Sequence, residues 1–194
     1  MRRKLTQRGK DRRRQLMEHA AELFAERGYH PTSVSDIVES LRVGKGVFYW
    51  YFSSKEELLV EILKASHQGL RRRQQAAIGD EPDPLVRIEL GIRASMEWFR
   101  EHRQFFTLFQ FAATEERFAP VLRNNEEVAI ADTVRHIKDA IVDGRIADQD
   151  PEMLAQGVVG VVEQLTRAYF FERDEPVDRV SDAAVSFCLR GLTG

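Results

Sequence analysis

The chain has 194 residues, of which 43% are hydrophobic and 31% are charged, and its formal net charge is −2. This length favours one domain, or a small module joined to a larger one, with a core that needs no disulfide bonds. No apolar run approaches the roughly 20 residues that a membrane-spanning helix requires. The basic amino terminus also lacks the apolar stretch and cleavage site of a signal peptide. We therefore expect a cytoplasmic protein without a membrane partner.

Metal-binding and catalytic patterns are missing from the sequence. The chain has a single cysteine, Cys188, and its five histidines are far apart. One cysteine excludes an internal disulfide and fits a reducing compartment, and histidines so dispersed predict no metal site. The sequence contains no phosphate-binding loop, no G-x-S-x-G nucleophile motif and no histidine pair. We therefore expect neither an enzyme nor a cofactor.

Charge is distributed unevenly along the chain. Residues 1–64 carry a net charge of +4, whereas residues 65–194 carry a net charge of −6. A basic amino-terminal segment followed by an acidic remainder is the layout of a DNA-reading module joined to a second functional part.

The first third of the chain predicts two helices and the turn between them. Apolar residues recur at intervals of three and four, and glycine and proline are sparse, so the chain is predicted to be all-α. A first helix is expected over residues 9–27, with Gly28 providing its left-handed end. Ser33 and Asp36 then form a capping box that starts a short second helix.

Two more helices complete this basic segment. Gly44 can cap a short third helix over residues 45–51, although it offers no side-chain acceptor. Ser54 and Glu57 form a second capping box, which starts a long helix running toward Arg73.

A boundary rich in glycine, proline and acidic residues at positions 79–84 precedes the helical body. The first body helix carries one apolar face from Leu85 to Phe99, and the aromatic segment 105–113 is expected to be buried on several sides. Further helices are predicted at residues 119–143, 151–172 and 177–192.

Two short helices that follow a longer one within a basic segment describe a helix-turn-helix unit, whose second short helix enters the major groove of DNA. Residues 31–59, PTSVSDIVESLRVGKGVFYWYFSSKEELL, resemble the amino-terminal DNA-binding domain of the TetR family of bacterial transcriptional regulators. The similarity includes FAERGY at 24–29, KGVFYWYF at 45–52 and SKEEL at 54–58.

The resemblance implies an all-α protein with an N-terminal three-helix helix-turn-helix DNA-binding domain at residues 1–56. A helical effector-binding and dimerisation domain would follow at residues 57–194. The implied function is that of a homodimeric repressor, which a hydrophobic small-molecule effector releases from its double-stranded DNA operator. A ligand-independent architectural protein or an activator remains the alternative.

Residues of the third helix are the main candidates for DNA contacts. Lys45 can reach a guanine edge or a phosphate, and Gly46 allows the backbone to approach DNA closely. Val47 suggests contact with a thymine methyl group. Tyr49 and Trp50 are large aromatics in a run of five residues, which is too long for all of them to point into the core.

Residues outside the centre of that helix add further candidates. Thr32 and Ser33 can offer a hydroxyl and a backbone amide to the opposite phosphate strand, and Lys55 lies at a helix start that attracts anions. The resemblance implies a phosphate contact for Tyr51. The basic terminus is either a solvated tail or a salt-dependent DNA contact. Its cations are Arg2, Arg3, Lys4, Arg8, Lys10, Arg12, Arg13 and Arg14. Val43, Phe48 and Phe52 are assigned to the core.

Three positions differ from the usual family pattern. Arg42 stands where the family commonly has glycine, Gly44 where it has serine, and Val47 where it has threonine. These differences bear on which operator sequence is recognised.

The last two predicted helices are candidates for dimerisation, because the helix-turn-helix unit needs two copies to cover two half-sites. Gly157 and Gly160 allow close helix approach, and the two helices carry apolar stripes. Packing on the core of the same chain is the alternative for those stripes, whose members are Leu154, Val158, Val161, Leu165, Val180, Ala184, Phe187 and Cys188.

Aromatic and polar residues of the body are candidates for effector binding, although aromatics at helical spacing are more often core residues. Arg167 and His102 would favour an anionic head group such as an acyl-thioester, whereas Glu163 would favour a cationic compound. The predicted effector residues are Trp98, Phe99, His102, Phe106, Phe109, Gln110, Glu163, Arg167 and Phe170.

Overall fold

A computed structural model describes residues 5–194, apart from the side chain of Phe170, and it contains helices without any strand in that range. The prediction of an all-α fold is confirmed. The helices are α1 (Gln7–Arg27), α2 (Val34–Ser40), α3 (Lys45–Tyr51), α4 (Lys55–Ile78), α5 (Pro84–Glu101), α6 (Arg103–Ala113), α7 (Ala119–Val142), α8 (Pro151–Leu165) and α9 (Val177–Thr193). A 3₁₀ turn, Glu116–Phe118, precedes α7, and a π-helical segment, Thr166–Phe171, follows α8.

Most predicted helix boundaries lie close to the observed ones. The bounds of α3 agree with the prediction, whereas α4 continues past Arg73 to Ile78. The helix expected over residues 151–172 extends from Pro151 to Phe171, but its pattern changes from α-helical to π-helical after Leu165. Among the described residues, no helix has the length and apolar character needed to cross a membrane.

The chain folds into two compact units. Among the described residues, the first comprises 5–66 together with Arg103–Leu122, and the second comprises His67–His102 and Arg123–Gly194. Helix α4 therefore contributes residues to both units. The division by function between residues 56 and 57 stays a prediction, since the units are defined by packing alone.

The core of the first unit is formed by α1 to α4 together with the distant α6 and its 3₁₀ turn. Phe48 and Phe52 are buried as predicted, and Val43 is half-buried against them. The expectation that α6 is buried on several sides was wrong, because its phenylalanines Phe105, Phe109 and Phe111 are half-buried. The fully buried large side chains of this unit are Leu16, Phe24, Ile37, Phe48, Phe52, Leu58, Leu59, Ile62, Leu63, Leu108 and Phe118.

Local hydrogen bonds start α2 and α4. The Ser33 hydroxyl accepts from the Asp36 amide at 3.2 Å, and the Asp36 carboxylate accepts from the Ser33 amide at 2.7 Å, which confirms the first capping box. These bonds from Ser33 lower the pKa of Asp36. At the second site the Ser54 hydroxyl accepts from the Glu57 amide at 3.0 Å, whereas the Glu57 carboxylate accepts from the amide and hydroxyl of Ser53.

Helix α2 ends in a Schellman motif, in which two backbone bonds close the last turn. The Val43 amide donates to the Val38 carbonyl and the Arg42 amide to the Glu39 carbonyl, both at 3.0 Å. This arrangement places Arg42 at φ 52°, in the left-handed region that glycine usually occupies. A side chain in this conformation costs about 1 kcal/mol.

The ammonium group of Lys55 holds the loop between α1 and α2. Its Nζ atom donates to the carbonyls of Tyr29 at 2.7 Å, Thr32 at 2.8 Å and His30 at 3.3 Å. The same atom lies 4.3 Å from the centre of the Tyr29 ring, which stacks on Phe111 of α6. Burial, and secondly the nearby Arg117, lowers the pKa of Lys55. One cation thus joins the start of α4 to the loop that precedes α2.

The second unit is built around α5, α7, α8 and α9. Its buried residues include four members of the predicted dimer stripes, Val158, Val180, Ala184 and Cys188, so the expectation that these four face a partner was wrong. They instead fill the core between helices of the same chain. Burial raises the pKa of Cys188 to about 11. Ion pairs on this unit join Arg71 to Asp132, Arg93 to Asp182 and Arg145 to Asp83.

Replacement of Lys55 by methionine tests the loop contact. We expect Lys55→Met to lower the free energy of unfolding by about 1–3 kcal/mol, because three carbonyls lose a charged donor. Urea denaturation measures this change. Lys64→Met is the matched control, because Lys64 is exposed on the same helix and pairs with Glu61. Its loss should stay within about 0.5 kcal/mol, and equal losses in the two variants would contradict the role of Lys55.

Candidate nucleic-acid interface

Helix α3 has one buried face and one aromatic exposed face. Phe48 and Phe52 are buried, whereas Tyr49 and Trp50 are each 56% exposed. Successive residues of an α-helix are rotated by about 100° around its axis, so neighbouring side chains point in different directions. Phe48 and Phe52 therefore anchor the helix, while Tyr49 and Trp50 face solvent. The Trp50 ring lies edge-on to Tyr51, with their centroids 4.5 Å apart.

The amino-terminal tip of α3 is open and carries a positive charge. Lys45 is exposed, and glycines flank it at positions 44 and 46. A Cβ atom added at Gly44 or Gly46 would meet nothing within 4 Å, so the backbone on both sides of Lys45 is bare. The unsatisfied amides of a helix start face the same solvent as this lysine and favour anions.

Val47 and Tyr51 are less accessible than their neighbours. Both side chains are half-buried and pack against the core of the first unit. Part of each remains exposed, so a methyl contact by Val47 and a phosphate contact by Tyr51 stay predictions.

Two predicted DNA contacts of the preceding loop and of α4 need correction. The Thr32 side chain is 1% exposed, and its hydroxyl donates to the Gly28 carbonyl at 2.7 Å, so the hydroxyl does not face a phosphate. The donors of Lys55 are similarly directed at loop carbonyls within the unit. Ser33 is exposed, but its hydroxyl also donates to Asp36 at 2.7 Å within the capping box. The Thr32 hydroxyl and the Lys55 ammonium group, which the sequence suggested as DNA contacts, therefore form hydrogen bonds within the protein instead.

The basic amino terminus is divided between described and undescribed residues. The predicted contacts of Arg2, Arg3 and Lys4 lie outside the described residues. Arg8 and Lys10 are exposed on the first turn of α1. Arg13 is directed inward, because its guanidinium pairs with Glu61 at 2.5 Å and covers the Phe52 ring at 5.1 Å.

The effector candidates of α5 lie together in the second unit. Trp98 is buried, and its ring stacks on His102 with the centroids 4.5 Å apart. His102 Nδ1 is 2.9 Å from the Trp98 carbonyl oxygen, and Phe99 lies edge-on to Trp98 at 5.3 Å. The candidates Phe106, Phe109 and Gln110 belong to the first unit, where Gln110 is exposed and the two rings are half-buried.

A second group of effector candidates lies at the carboxyl end of α8. Glu163 is exposed, but partial desolvation of its carboxylate, and secondly the nearby Glu126 of α7, raises its pKa. Arg167 donates to Gln164 at 2.7 Å and pairs with Glu172 at 2.9 Å, so its charge is already balanced. Phe170 belongs to the π-helical segment, but its side chain lies outside the described residues.

Thr166 is a polar residue of this region that the sequence did not identify. Its side chain is 1% exposed, and its hydroxyl has no hydrogen-bond partner within the described chain. It begins the π-helical segment one turn after Glu163, and π-helical turns often occur at functional sites. The sequence also did not identify Glu126 of α7, whose charge contributes to the raised pKa of Glu163. The signal available for Thr166 was its helical spacing from Glu163, which alone does not reveal burial.

The surface of α8 and α9 keeps several apolar groups exposed. Phe187 is 67% exposed, and it lines a shallow groove on α9 together with Ala183, Ser186, Arg190 and Gly191. Met153, Gly157 and Gly160 are also exposed on α8. A Cβ atom added at either glycine would meet no heavy atom within 4 Å. Leu154, Val161 and Leu165 are half-buried against the core of the second unit.

Comparisons with known proteins agree with the helix-turn-helix geometry. The family model described as bacterial regulatory proteins, tetR family, matches residues 16–62. These residues include α2, α3 and the parts of α1 and α4 that surround them.

Two mycobacterial regulators are similar in sequence. The transcriptional activator FasR of Mycolicibacterium smegmatis is 28% identical over 187 residues, which cover 94% of this chain and 84% of that protein. The transcriptional repressor KstR2 of Mycobacterium tuberculosis is 32% identical over 120 residues, which cover 60% of each chain. Both names denote transcriptional regulators rather than enzymes.

Solved structures share the fold over nearly the whole chain. A TetR-family regulator from Syntrophomonas wolfei superimposes with a TM-score of 0.85 at 22% identity, covering 95% of this chain and 96% of that one. The structure of KstR2 superimposes with a TM-score of 0.71 at 26% identity, covering 94% and 95%. Residues 16–62 therefore form a DNA-binding domain of the TetR family of bacterial transcriptional regulators, and the chain as a whole shares the fold of such regulators.

Proposed function

We propose that the protein is a homodimeric repressor that inserts α3 into the major groove of a double-stranded DNA operator. The observation that carries this proposal is the pair of exposed rings Tyr49 and Trp50 beside the exposed Lys45 on a helix anchored by Phe48. An exposed aromatic pair next to a cation suits contacts with phosphates, sugars and base edges.

Activation of transcription is the second candidate function. The relative FasR is named an activator and the relative KstR2 a repressor. The same DNA contacts serve either outcome, because the sign depends on where the operator lies relative to the promoter. A reporter gene with a selected operator placed upstream of or within the promoter separates the two.

We propose that α8 and α9 form the dimer interface. Support comes from the exposed Phe187, Met153, Gly157 and Gly160, which are apolar or small and lie on these two helices. Glycines without a neighbouring side chain allow a second helix to approach closely, and four helices from two chains can form a bundle. Two recognition helices can then bind two half-sites.

We propose that the effector is a hydrophobic molecule without a net negative charge, bound near Glu163 and Thr166. The raised pKa of Glu163 and the proximity of Glu126 disfavour an additional anion. Arg167, the cation that would attract an anion, is paired with Glu172. The partnerless hydroxyl of Thr166 offers a hydrogen bond to a ligand. The relative KstR2, described as a ketosteroid transcriptional regulator, is consistent with an apolar ligand.

Release from DNA would follow a population shift toward a conformation in which the two α3 helices no longer match successive grooves. Helix α4 is suited to transmit this change, because Lys55 and its neighbours belong to the first unit while residues from His67 belong to the second. A coupling free energy of about 1–3 kcal/mol is enough to empty a moderately saturated operator.

Substitutions on α3 test the DNA interface. An operator is first selected from random DNA with the wild-type protein. We expect Lys45→Ala and Tyr49→Ala each to weaken its binding by about 5- to 150-fold, equivalent to about 1–3 kcal/mol for a base contact, without loss of thermal stability. Fluorescence anisotropy measures the affinity. Tyr169→Ala, an exposed aromatic of the second unit, should bind as the wild type does. Unchanged binding by the double variant Lys45→Ala/Tyr49→Ala would refute the proposed interface.

A charge at Phe187 tests the dimer. We expect Phe187→Glu to produce monomers, because a carboxylate would be desolvated in an apolar interface. Light scattering after gel filtration measures the mass, and circular dichroism checks that the helices remain. Val142→Glu places the same charge at an exposed position of α7 and should leave the dimer intact. A dimeric Phe187→Glu protein would exclude this residue from the interface.

Amphiphiles of one chain length test the effector class. We expect decylamine and decanol to raise the melting temperature more than decanoate, because a ligand that binds the folded state stabilises it in proportion to affinity. The difference between decylamine and decanoate should shrink in Glu163→Gln, which removes the carboxylate charge. Stabilisation by decanoate above that by the other two compounds would overturn the proposed class. A body that none of the three stabilises would favour the ligand-independent alternative.

A further inference from the structure

We infer that Arg42 is a DNA phosphate contact, placed by a strained backbone at the turn that leads into α3. The inference rests on the proposed insertion of α3 into DNA. Arg42 is exposed and lies three residues before Lys45. The sequence identified Arg42 only as a difference from the usual family pattern and did not predict a DNA contact for it.

The backbone at Arg42 is unusual within this chain. At the ends of α1, α4 and α7 the residues with positive φ are the glycines Gly28, Gly79 and Gly144. Among residues 5–194, the non-glycine residues with positive φ are Arg42 at 52° and Asp174 at 53°. Aspartate is short and polar and tolerates this conformation, whereas arginine gains no such local compensation.

Contacts within the protein do not account for an arginine at this position. Glycine would form both backbone bonds of the Schellman motif equally well, since these involve the amides of residues 42 and 43. The side chain is exposed, and no carboxylate of the described chain pairs with its guanidinium. A strained residue without an internal partner points to a functional use of its side chain.

The surroundings of Arg42 suit a phosphate. Gly44 and Gly46, which follow Arg42 in the chain, have no heavy atom within 4 Å of the position a Cβ would take, so the backbone there is open to a ligand. In a helix-turn-helix unit the start of the recognition helix contacts base edges, so we expect the turn that leads into it to lie at the edge of the groove, where the DNA backbone runs. A guanidinium there can bind two phosphate oxygens through its planar fork.

The consequence is a contribution to affinity that depends on salt but not on base sequence. Each neutralised phosphate adds about 0.9 to the slope of log affinity against log salt, which corresponds to roughly 5-fold in affinity at 0.15 M salt. Base contacts by Lys45 and Tyr49 would instead differ between operators.

Four variants test the inference with an operator selected by the wild-type protein. Arg42→Asn removes the charge while tolerating the left-handed backbone, and Arg42→Gly also relieves the strain. We expect both to weaken binding roughly 5-fold and to reduce the salt slope by about 0.9, with the melting temperature unchanged for the first and unchanged or raised for the second. Arg42→Lys should retain the wild-type slope. Lys64→Gln, which removes a cation elsewhere in the same unit, should do the same.

The outcomes separate this inference from the proposed function. An unchanged salt slope in Arg42→Asn and Arg42→Gly overturns the inference, and if Lys45→Ala still weakens binding, the proposed interface stands without Arg42. If Lys45→Ala also binds like the wild type, the proposed function itself fails. A slope reduced as much by Lys64→Gln as by Arg42→Asn would show a general effect of net charge and would also overturn the assignment.

Discussion

The ammonium group of Lys55 is the contact on which the geometry of the helix-turn-helix unit depends. It binds three carbonyls of one loop and lies over the Tyr29 ring. The carbonyls of this loop have no helical partners, so a single cation with three donors satisfies them and fixes the entry into α2. The ring of Tyr29 in turn stacks on Phe111, which makes the distant α6 part of the same unit. The positions of α2 and α3 therefore depend on residues well outside the matched segment.

Helix α3 divides its aromatic run between the core and the surface. Phe48 and Phe52 supply the apolar surface that holds a helix of seven residues, which would be marginal on its own. Tyr49 and Trp50 are then presented to solvent by a rigid element rather than by a mobile loop. The strained turn at Arg42 belongs to the same arrangement, since the Schellman end of α2 places an arginine three residues before Lys45 in the chain.

The second unit combines a close-packed core with a polar region that is incompletely satisfied. The buried members of the α8 and α9 stripes stabilise the unit itself, whereas Phe187 and the glycines of α8 remain exposed. The buried hydroxyl of Thr166 lacks such an internal use, and the exposed carboxylate of Glu163 lies one turn before it at the end of α8. A buried polar group without a partner destabilises a fold unless a ligand or water satisfies it. The π-helical segment that begins at Thr166 lies at the same place.

Periodicity and capping residues were sufficient to predict the all-α fold, the bounds of α3, the Ser33 capping box and the burial of Phe48 and Phe52, because all of these depend on neighbours within one or two helix turns. The exposure of Tyr49 and Trp50 followed from the same short-range geometry. The roles of Thr32 and Lys55 could not be predicted in this way, since the loop carbonyls that bind Lys55 lie more than 20 residues away. The π-helical end of α8, the isolated hydroxyl of Thr166 and the burial of Val158 and Ala184 likewise depend on packing between helices distant in sequence. The sequence by itself determines hydrogen bonds and spacing between residues close in the chain. Which distant carbonyls bind the Lys55 cation, and which apolar side chains enter a core, is determined only when the helices pack together.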